Sequence, residues 1–200
     1  MSEWWAFATA GIRGPGKVGA VAPSSHRLAE QLAVVVPTMG APVVAELGAG
    51  TGAITRAIQR RLPSAGRLVV LDSSVEMVEV LRRRHPDLDI ENEDAANLGT
   101  VLAKRSITGV DAVISGLPWA LLGESQQQRI LTEVASALRP HAAFVTFAYS
   151  HAKPLQAARR FRRSLNGLFD EVIITRTTWR NAPPAFCYVC RRGLPRWTQP

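Results

Sequence analysis

Along most of the chain, short continuous runs of apolar residues alternate with stretches whose apolar positions recur every three or four residues. "PVVAEL" (42–47), "RLVVLD" (67–72), "VDAVISG" (110–116) and "HAAFVTFAYS" (141–150) are apolar runs of strand length. Strands buried on both faces of a parallel sheet read this way. Between them, "GAITRAIQRRL" places Ile54, Ala57, Ile58 and Leu62 on one helical face. "SVEMVEVLRRR" is a second such helix, its turns marked by Val75, Val78, Leu81 and Arg82, and "ESQQQRILTEVASALRP" a third. "DLDIENED" predicts a strand and its exit. Upstream, Ser24 or Ser25 caps a helix over about 25–36, ended by Pro37. Downstream come a basic helix, "AARRFRRSL", and two strands in succession, "FDEVIITRTTW" and "AFCYVCRRG", linked by "RNAPP". With no helix between them, these two form an antiparallel hairpin. The expected fold is α/β: a seven-stranded, mostly parallel sheet with an antiparallel last strand and helices on both faces.

Two hundred residues, 46% of them hydrophobic, suit one domain with a full core. The first 23 residues differ from the rest. They open with Trp4 and Trp5, which share a rough helical face with Ala8 and Ile12, and then turn glycine-rich. They are expected to form a lid or a membrane-contacting segment ahead of a domain over 24–193 and a tail over 194–200. No apolar run reaches roughly 18 residues and no charged-then-apolar leader opens the chain, so cytoplasmic residence is expected. The formal net charge of +8 suggests an anionic partner, a membrane surface or nucleic acid. The run "RRFRR" (159–163) suits phosphate in either, or a solvated helix face. Cys187 and Cys190 have C-x-x-C spacing, but there is no second pair to complete a zinc site and the context reads as strand. Two reduced thiols are expected.

The strongest chemical signal is "AELGAGTGAIT" (45–55), which sets Gly48, Gly50 and Gly52 between a strand and a helix. Glycine permits positive φ and lets a ligand approach the backbone. A dinucleotide turn has G-x-G-x-x-G spacing and receives a pyrophosphate. Here the spacing is G-x-G-x-G, and Glu46 lies two residues ahead. A carboxylate repels phosphate and welcomes a cation, which shifts the expectation to S-adenosylmethionine, with its sulfonium and ammonium. Asp72, ending the second strand, can accept hydrogen bonds from ribose hydroxyls, and Asp94, at the exit of the third, from the adenine amino group. Either can also cap the turn that follows it.

These residues resemble class I S-adenosylmethionine-dependent methyltransferases: "ELGAGTG", "LD" at 71–72, "EDA" at 93–95 and "VISGLP" at 113–118. More narrowly, "GAVAPSS" (19–25), "SGLP" (115–118) and "NAPPAFCYVCRR" (181–192) resemble bacterial phospholipid N-methyltransferases. The resemblance implies a Rossmann-like fold. It also implies a peripheral enzyme at the inner face of the membrane that methylates phosphatidylethanolamine towards phosphatidylcholine. The cofactor contacts are then Glu46, Gly48, Ala49, Gly50, Thr51 and Gly52, with Asp72 and Ser73, Asp94 and Ala95, and Ser115 and Gly116 at the ends of the next strands.

The chain is also similar to ribosomal RNA adenine dimethylases, whose turn reads Asn-Leu-Pro-aromatic. Here it is Gly116-Leu117-Pro118-Trp119, and the side-chain amide is absent. An adenine amine is a poor nucleophile that profits from such an amide. An alkyl amine needs deprotonation and a polar or aromatic cradle. Trp119 and Tyr149, just past strand ends, are the candidate cradle, and His151 is a candidate base or a plain surface histidine. Competing readings are RNA or small-molecule N-methylation, methylation of another amino lipid such as an ornithine lipid, and a catalytically silent S-adenosylmethionine-binding protein.

Overall fold

β1 (Val43–Leu47) shows how the sheet is built. Its side chains alternate between two cores: Ala45 and Leu47 join one apolar cluster and Val44 the other. All three are fully buried, which is why the strand reads as a continuous apolar run. β2 (Arg67–Asp72), β4 (Val110–Ser115) and β5 (Leu138–Tyr149) are built alike. With β3 (Asp89–Asn92), β6 (Glu171–Ile174) and β7 (Ala185–Arg191) they form a seven-stranded sheet of order β3-β2-β1-β4-β5-β7-β6. β1 to β5 pair in parallel, and β7 runs antiparallel to both β5 and β6. The expected sheet is therefore present. The structure is a computed structural model that describes residues 25–152 and 154–191. The expectations for residues 1–23, Ser24 and 194–200 lie outside the described residues.

Helices α1 (His26–Ala33), α2 (Ala53–Arg61) and α3 (Val75–Arg84) cover the face that holds Val44. Helices α4 (Leu98–Ala103), α5 (Glu124–Ala137) and α6 (Gln156–Leu168) cover the other. Ser25 caps α1, its hydroxyl accepting from Leu28 N–H at 3.3 Å. The helix stops at Ala33, and a turn closed by Val36 N–H to Ala33 C=O at 3.0 Å leads on towards Pro37. That makes α1 shorter than the 25–36 expected.

Three further departures have physical causes. α4 has no counterpart in the sequence reading, because six residues are too few to display a helical period. It is held by Arg105, which donates to Val101 C=O at 3.0 Å and to Asp89 and Glu91 on β3 at 2.6 and 2.7 Å. Val75 does not face the core. It is 56% exposed on the first turn of α3, where Ser74 caps the helix and Val78 and Leu81 carry the packing. β6 is shorter than "FDEVIITRTTW" suggested. After Ile174 the Thr175 amide still donates to Cys187 C=O at 3.0 Å, but the Thr175 hydroxyl, not a carbonyl, receives Cys187 N–H at 2.9 Å, and beyond it Thr178 returns to pair with Ala185.

The cysteines are free and buried, as expected. Three positions apart on β7, they point to opposite faces, Cys187 into one core and Cys190 into the other. Burial pushes both thiols up to about 12. Neither thiol is therefore expected to react with a disulfide reagent in the folded protein, whereas both react after denaturation. Native-state labelling at the denatured rate would contradict this placement.

Candidate functional site

The strand order reverses between β1 and β4, whose chain neighbours lead off in opposite directions. In open parallel sheets the crevice at the carboxyl ends of such strands receives ligands. Two loops meet there. Gly48 N–H continues the ladder to Leu71 C=O, and Gly116 N–H continues it to Leu47 C=O, both at 2.8 Å. Gly48, Gly50 and Gly52 have φ of 72, 53 and 82°, the left-handed region that favours glycine. A Cβ on Gly116 would run into the Gly48 carbonyl oxygen and lie 3.2 Å from Ile54 Cδ1. A Cβ on Gly48 would lie 2.7 Å from Leu117 Cδ2, while one on Gly50 would meet open space. Thus Gly48 and Gly116 are fixed by the contact between the loops, and Gly50 faces open space.

Beneath this loop lies Glu46. Period-2 alternation sends it to the same side as Val44, towards α2. It is 0% exposed, and both carboxylate oxygens lack a hydrogen-bond partner. Burial drives its pKa up to about 8. Thr55 draws it back part of the way, and the negative charge of Asp72 raises it further. Thr55 Oγ1, on α2, is itself buried without a partner. An unpartnered buried carboxylate is unfavourable as an anion until a cation or donor reaches it.

Asp72 is 5% exposed. Its Oδ2 accepts from Gly50 N–H at 2.8 Å and its Oδ1 from Ser74 N–H at 2.9 Å. Burial raises its pKa, and these backbone donors oppose the shift. A carboxylate has about four lone-pair positions, so Asp72 shapes the loop and keeps capacity for hydroxyls. Ser73 is exposed beside it. Ala49 is buried, and Thr51 C=O is tied to Arg84 at 3.1 Å. Asp94 caps the single turn Ala95–Asn97, its Oδ1 accepting from Ala96 N–H at 2.8 Å. Ser115 is buried, and its hydroxyl accepts from Leu117 N–H at 3.2 Å inside the turn.

The structure corrects the aromatic cradle. Trp119 is 3% exposed and belongs to the core. It stacks on Phe161 at 4.6 Å, meets Phe144 edge-on at 6.1 Å, and donates from Nε1 to Thr146 Oγ1 at 2.8 Å. With its rings engaged and its one donor satisfied, it holds the turn rather than facing an acceptor. Gln127, 2% exposed, completes the clamp by donating to the carbonyls of Trp119 and Leu122. Tyr149 is half-buried, edge-on to Phe147 at 5.4 Å and stacked on the exposed His151 at 5.7 Å. The adjoining Ser150 Oγ is buried with no partner.

Thr55, Gln127 and Thr146 were missed in the sequence. Gln127 carried a signal: it lies three and four positions before Ile130 and Leu131, on the apolar side of α5. The residues present fit a ligand with cationic groups and no phosphate beside the loop. The orphaned Glu46 carboxylate and the open space over Gly50 are what such a ligand would occupy.

Comparison with known proteins agrees. Residues 44–141 match the family described as a methyltransferase domain. The chain is 32% identical over 194 residues to an ornithine lipid N-methyltransferase of Singulisphaera acidiphila, covering 96% of this chain and 97% of the relative. Among solved structures, the fold is similar to the O-methyltransferase TomG of Streptomyces achromogenes in complex with S-adenosylmethionine. The TM-score is 0.67 and the identity 20%, over 93% of this chain and 86% of that one. It is also similar to the N-methyltransferase NodS of Bradyrhizobium japonicum, with TM-score 0.61 and 14% identity over 82% and 94%.

Two tests address this geometry. Because the pKa of Glu46 is raised from 4.5 to about 8, the folded protein holds an extra proton between those values. Stability of the ligand-free protein therefore falls as pH rises through that window. A cation bound against the ionised carboxylate displaces the proton. S-adenosylmethionine affinity accordingly rises between about pH 6 and 8 with release of a proton, measurable by calorimetry in buffers of different ionisation enthalpy. Glu46→Gln removes that dependence, and a flat wild-type profile would refute the role. Second, Gly116→Ala should cost roughly 1–3 kcal/mol in thermal unfolding and weaken cofactor binding. Gly123→Ala, where a Cβ meets nothing within 4 Å, should be neutral in both assays.

Proposed function

Because the chain belongs to the S-adenosylmethionine-dependent methyltransferases, we propose that it methylates the headgroup amine of an amino lipid, of the ornithine-lipid kind. The observation that carries the acceptor class is the match to an ornithine lipid N-methyltransferase over nearly the whole length of both chains. Phosphatidylethanolamine, the acceptor suggested by the phospholipid N-methyltransferase resemblance, offers the same kind of amine.

The cofactor supplies an electrophilic methyl group on a sulfonium. This chain's residues bind it, aim it and shape the acceptor's approach. Glu46 and Asp72 offer carboxylates to the cationic groups and the ribose. The acceptor amine must arrive neutral, about 3 Å from the methyl carbon and shielded from water. Gly116 supports an alkyl amine over a nucleobase, since the packed Gly48 carbonyl leaves no room for an amide side chain at that position. Tyr149 presents an aromatic surface suited to an ammonium product, and the His151 stacked on it brings a ring nitrogen able to take the departing proton. The unpartnered Ser150 hydroxyl at the same strand end suits a hydrogen bond to the headgroup. A lipid acceptor fits an enzyme working peripherally at an anionic cytoplasmic membrane face, and the net charge of +8 supports that setting. Among the described residues, no helix is long and apolar enough to cross a membrane.

The test is methyl transfer from labelled S-adenosylmethionine to four acceptors: vesicles containing ornithine lipid, vesicles containing phosphatidylethanolamine, total RNA, and a mixture of small amines. Label is expected in the ornithine lipid. Label in phosphatidylethanolamine alone would move the acceptor within the amino lipids, and label in RNA alone would overturn the lipid reading. Cofactor binding with no label in any acceptor would favour a silent binder.

A further inference from the structure

The carboxyl ends of β1, β2, β4 and β5 open on one end of the sheet, and the site lies there. The β6–β7 connection, residues 175–184, is at that same end, because β7 runs antiparallel to both β5 and β6. Ser150 N–H donates to Pro184 C=O at 2.8 Å and Ser25 N–H to Asn181 Oδ1 at 3.0 Å, tying the connection to the end of β5 and the start of α1. Several of the exposed large apolar side chains among the described residues lie at this end, Val75 after β2 and Ile174 at the end of β6 among them. Leu121 follows β4, Leu155 precedes α6, and Trp179 lies in the connection at 77% exposure.

Trp179 is the informative one. A tryptophan turned to solvent forgoes the burial its ring would gain, whereas at a bilayer boundary both its apolar body and its N–H are accommodated. It is flanked by exposed Arg176 and Arg180, and residues 175–184 contain no Asp or Glu. Among the described residues neither arginine has a carboxylate within 4.0 Å, unlike Arg67, Arg105 and Arg139, each of which is paired. Arg159, on the first turn of α6 behind Leu155, is exposed and likewise unpaired among them. An apolar ring between unneutralised guanidinium groups complements an anionic lipid surface. Nucleic acid would use the arginines and leave the two leucines without a role.

We propose that residues 175–184 dock the mouth of the site onto an anionic bilayer. Trp179 lodges at the boundary between headgroups and acyl chains, Arg176 and Arg180 meet lipid phosphates, and Leu121 and Leu155 complete the apolar rim. The docking rests on the amino-lipid reading for its purpose but not for its measurement. The full chain is sedimented, without cofactor, with phosphatidylcholine vesicles containing about one third phosphatidylglycerol and no amino lipid. Each arginine is worth about fivefold in partitioning, so R176Q/R180Q falls about 25-fold, and high salt removes the difference. Trp179→Ala falls roughly tenfold while Trp179→Phe keeps most of the binding. All variants should melt with the wild type, since the three side chains are exposed.

In the vesicle methyl-transfer assay KM rises with kcat unchanged, and a short-chain soluble amino lipid is turned over normally. Vesicle binding by R176Q/R180Q combined with Trp179→Ala equal to wild type would overturn the proposal. So would loss of RNA retention without loss of vesicle binding, or self-association in lipid-free solution that Trp179→Ala abolishes. Docking that depends on these residues, with no amino lipid methylated, would reject the acceptor reading alone.

Discussion

The whole site hangs on a backbone-to-backbone contact. Where β1 and β4 end side by side, the loop after each turns away, and the Gly48 carbonyl oxygen fills the space that a Cβ on Gly116 would need. The register that brings Leu47 opposite Ser115 leaves no distance for a side chain between the residues that follow. Leu117 fills the reciprocal space over Gly48. Once the two loops are locked, the amide of Gly50 is directed at Asp72, the turn enters α2 at Gly52, and the face over Gly50 stays open. The same contact reaches the acceptor side: a residue with an amide side chain cannot occupy position 116 without forcing the loops apart. An absence that looked chemical in the sequence is first of all steric.

Locked loops also explain how the fold tolerates Glu46. A buried carboxyl with no partner is expensive in its charged form, and here a second acid, Asp72, sits close enough to add repulsion. Asp72 is eased by hydrogen bonds from the amides of Gly50 and Ser74; Glu46 has only the neighbouring Thr55 to ease it, and neither of its oxygens is hydrogen-bonded. Burial favours the neutral form of Glu46, and a cation placed against it would favour the charged form. A ligand that met this carboxylate would thereby link its binding to folding stability.

How much of this was readable in the sequence depended on what kind of force placed each residue. Strands buried on both sides write themselves as apolar runs, and β1, β2, β4 and β5 were legible. So was the loop at 48–52, since positive φ selects glycine whatever surrounds it. α4 was not, because two turns anchored by Arg105 to β3 depend on a contact between distant positions. Trp119 was misread for a related reason: after a strand end, a tryptophan can turn to ligand or to core. Its direction is set by Phe161, Thr146 and Gln127, which the sequence places 42, 27 and 8 residues away. Val75 sits at a helical position of the right period but on the first turn, where α3 has not yet reached the sheet.

The two halves of the sheet therefore carry different kinds of determinant. The cofactor half, β3-β2-β1-β4, is made of backbone geometry and buried acids. These are fixed by the fold and change little without breaking it. The other half, β5-β7-β6, ends in side chains at strand termini and in a connection of ten residues whose inner anchors are Asn181 and the Pro184 carbonyl. The exposed side chains of the connection, Arg176, Trp179 and Arg180, can vary without disturbing either core. Ser25, ahead of α1, has its amide bonded to the same Asn181, so the start of α1 and the β6–β7 connection share one support. Such an arrangement lets this connection vary in sequence around a loop contact that two glycines keep fixed.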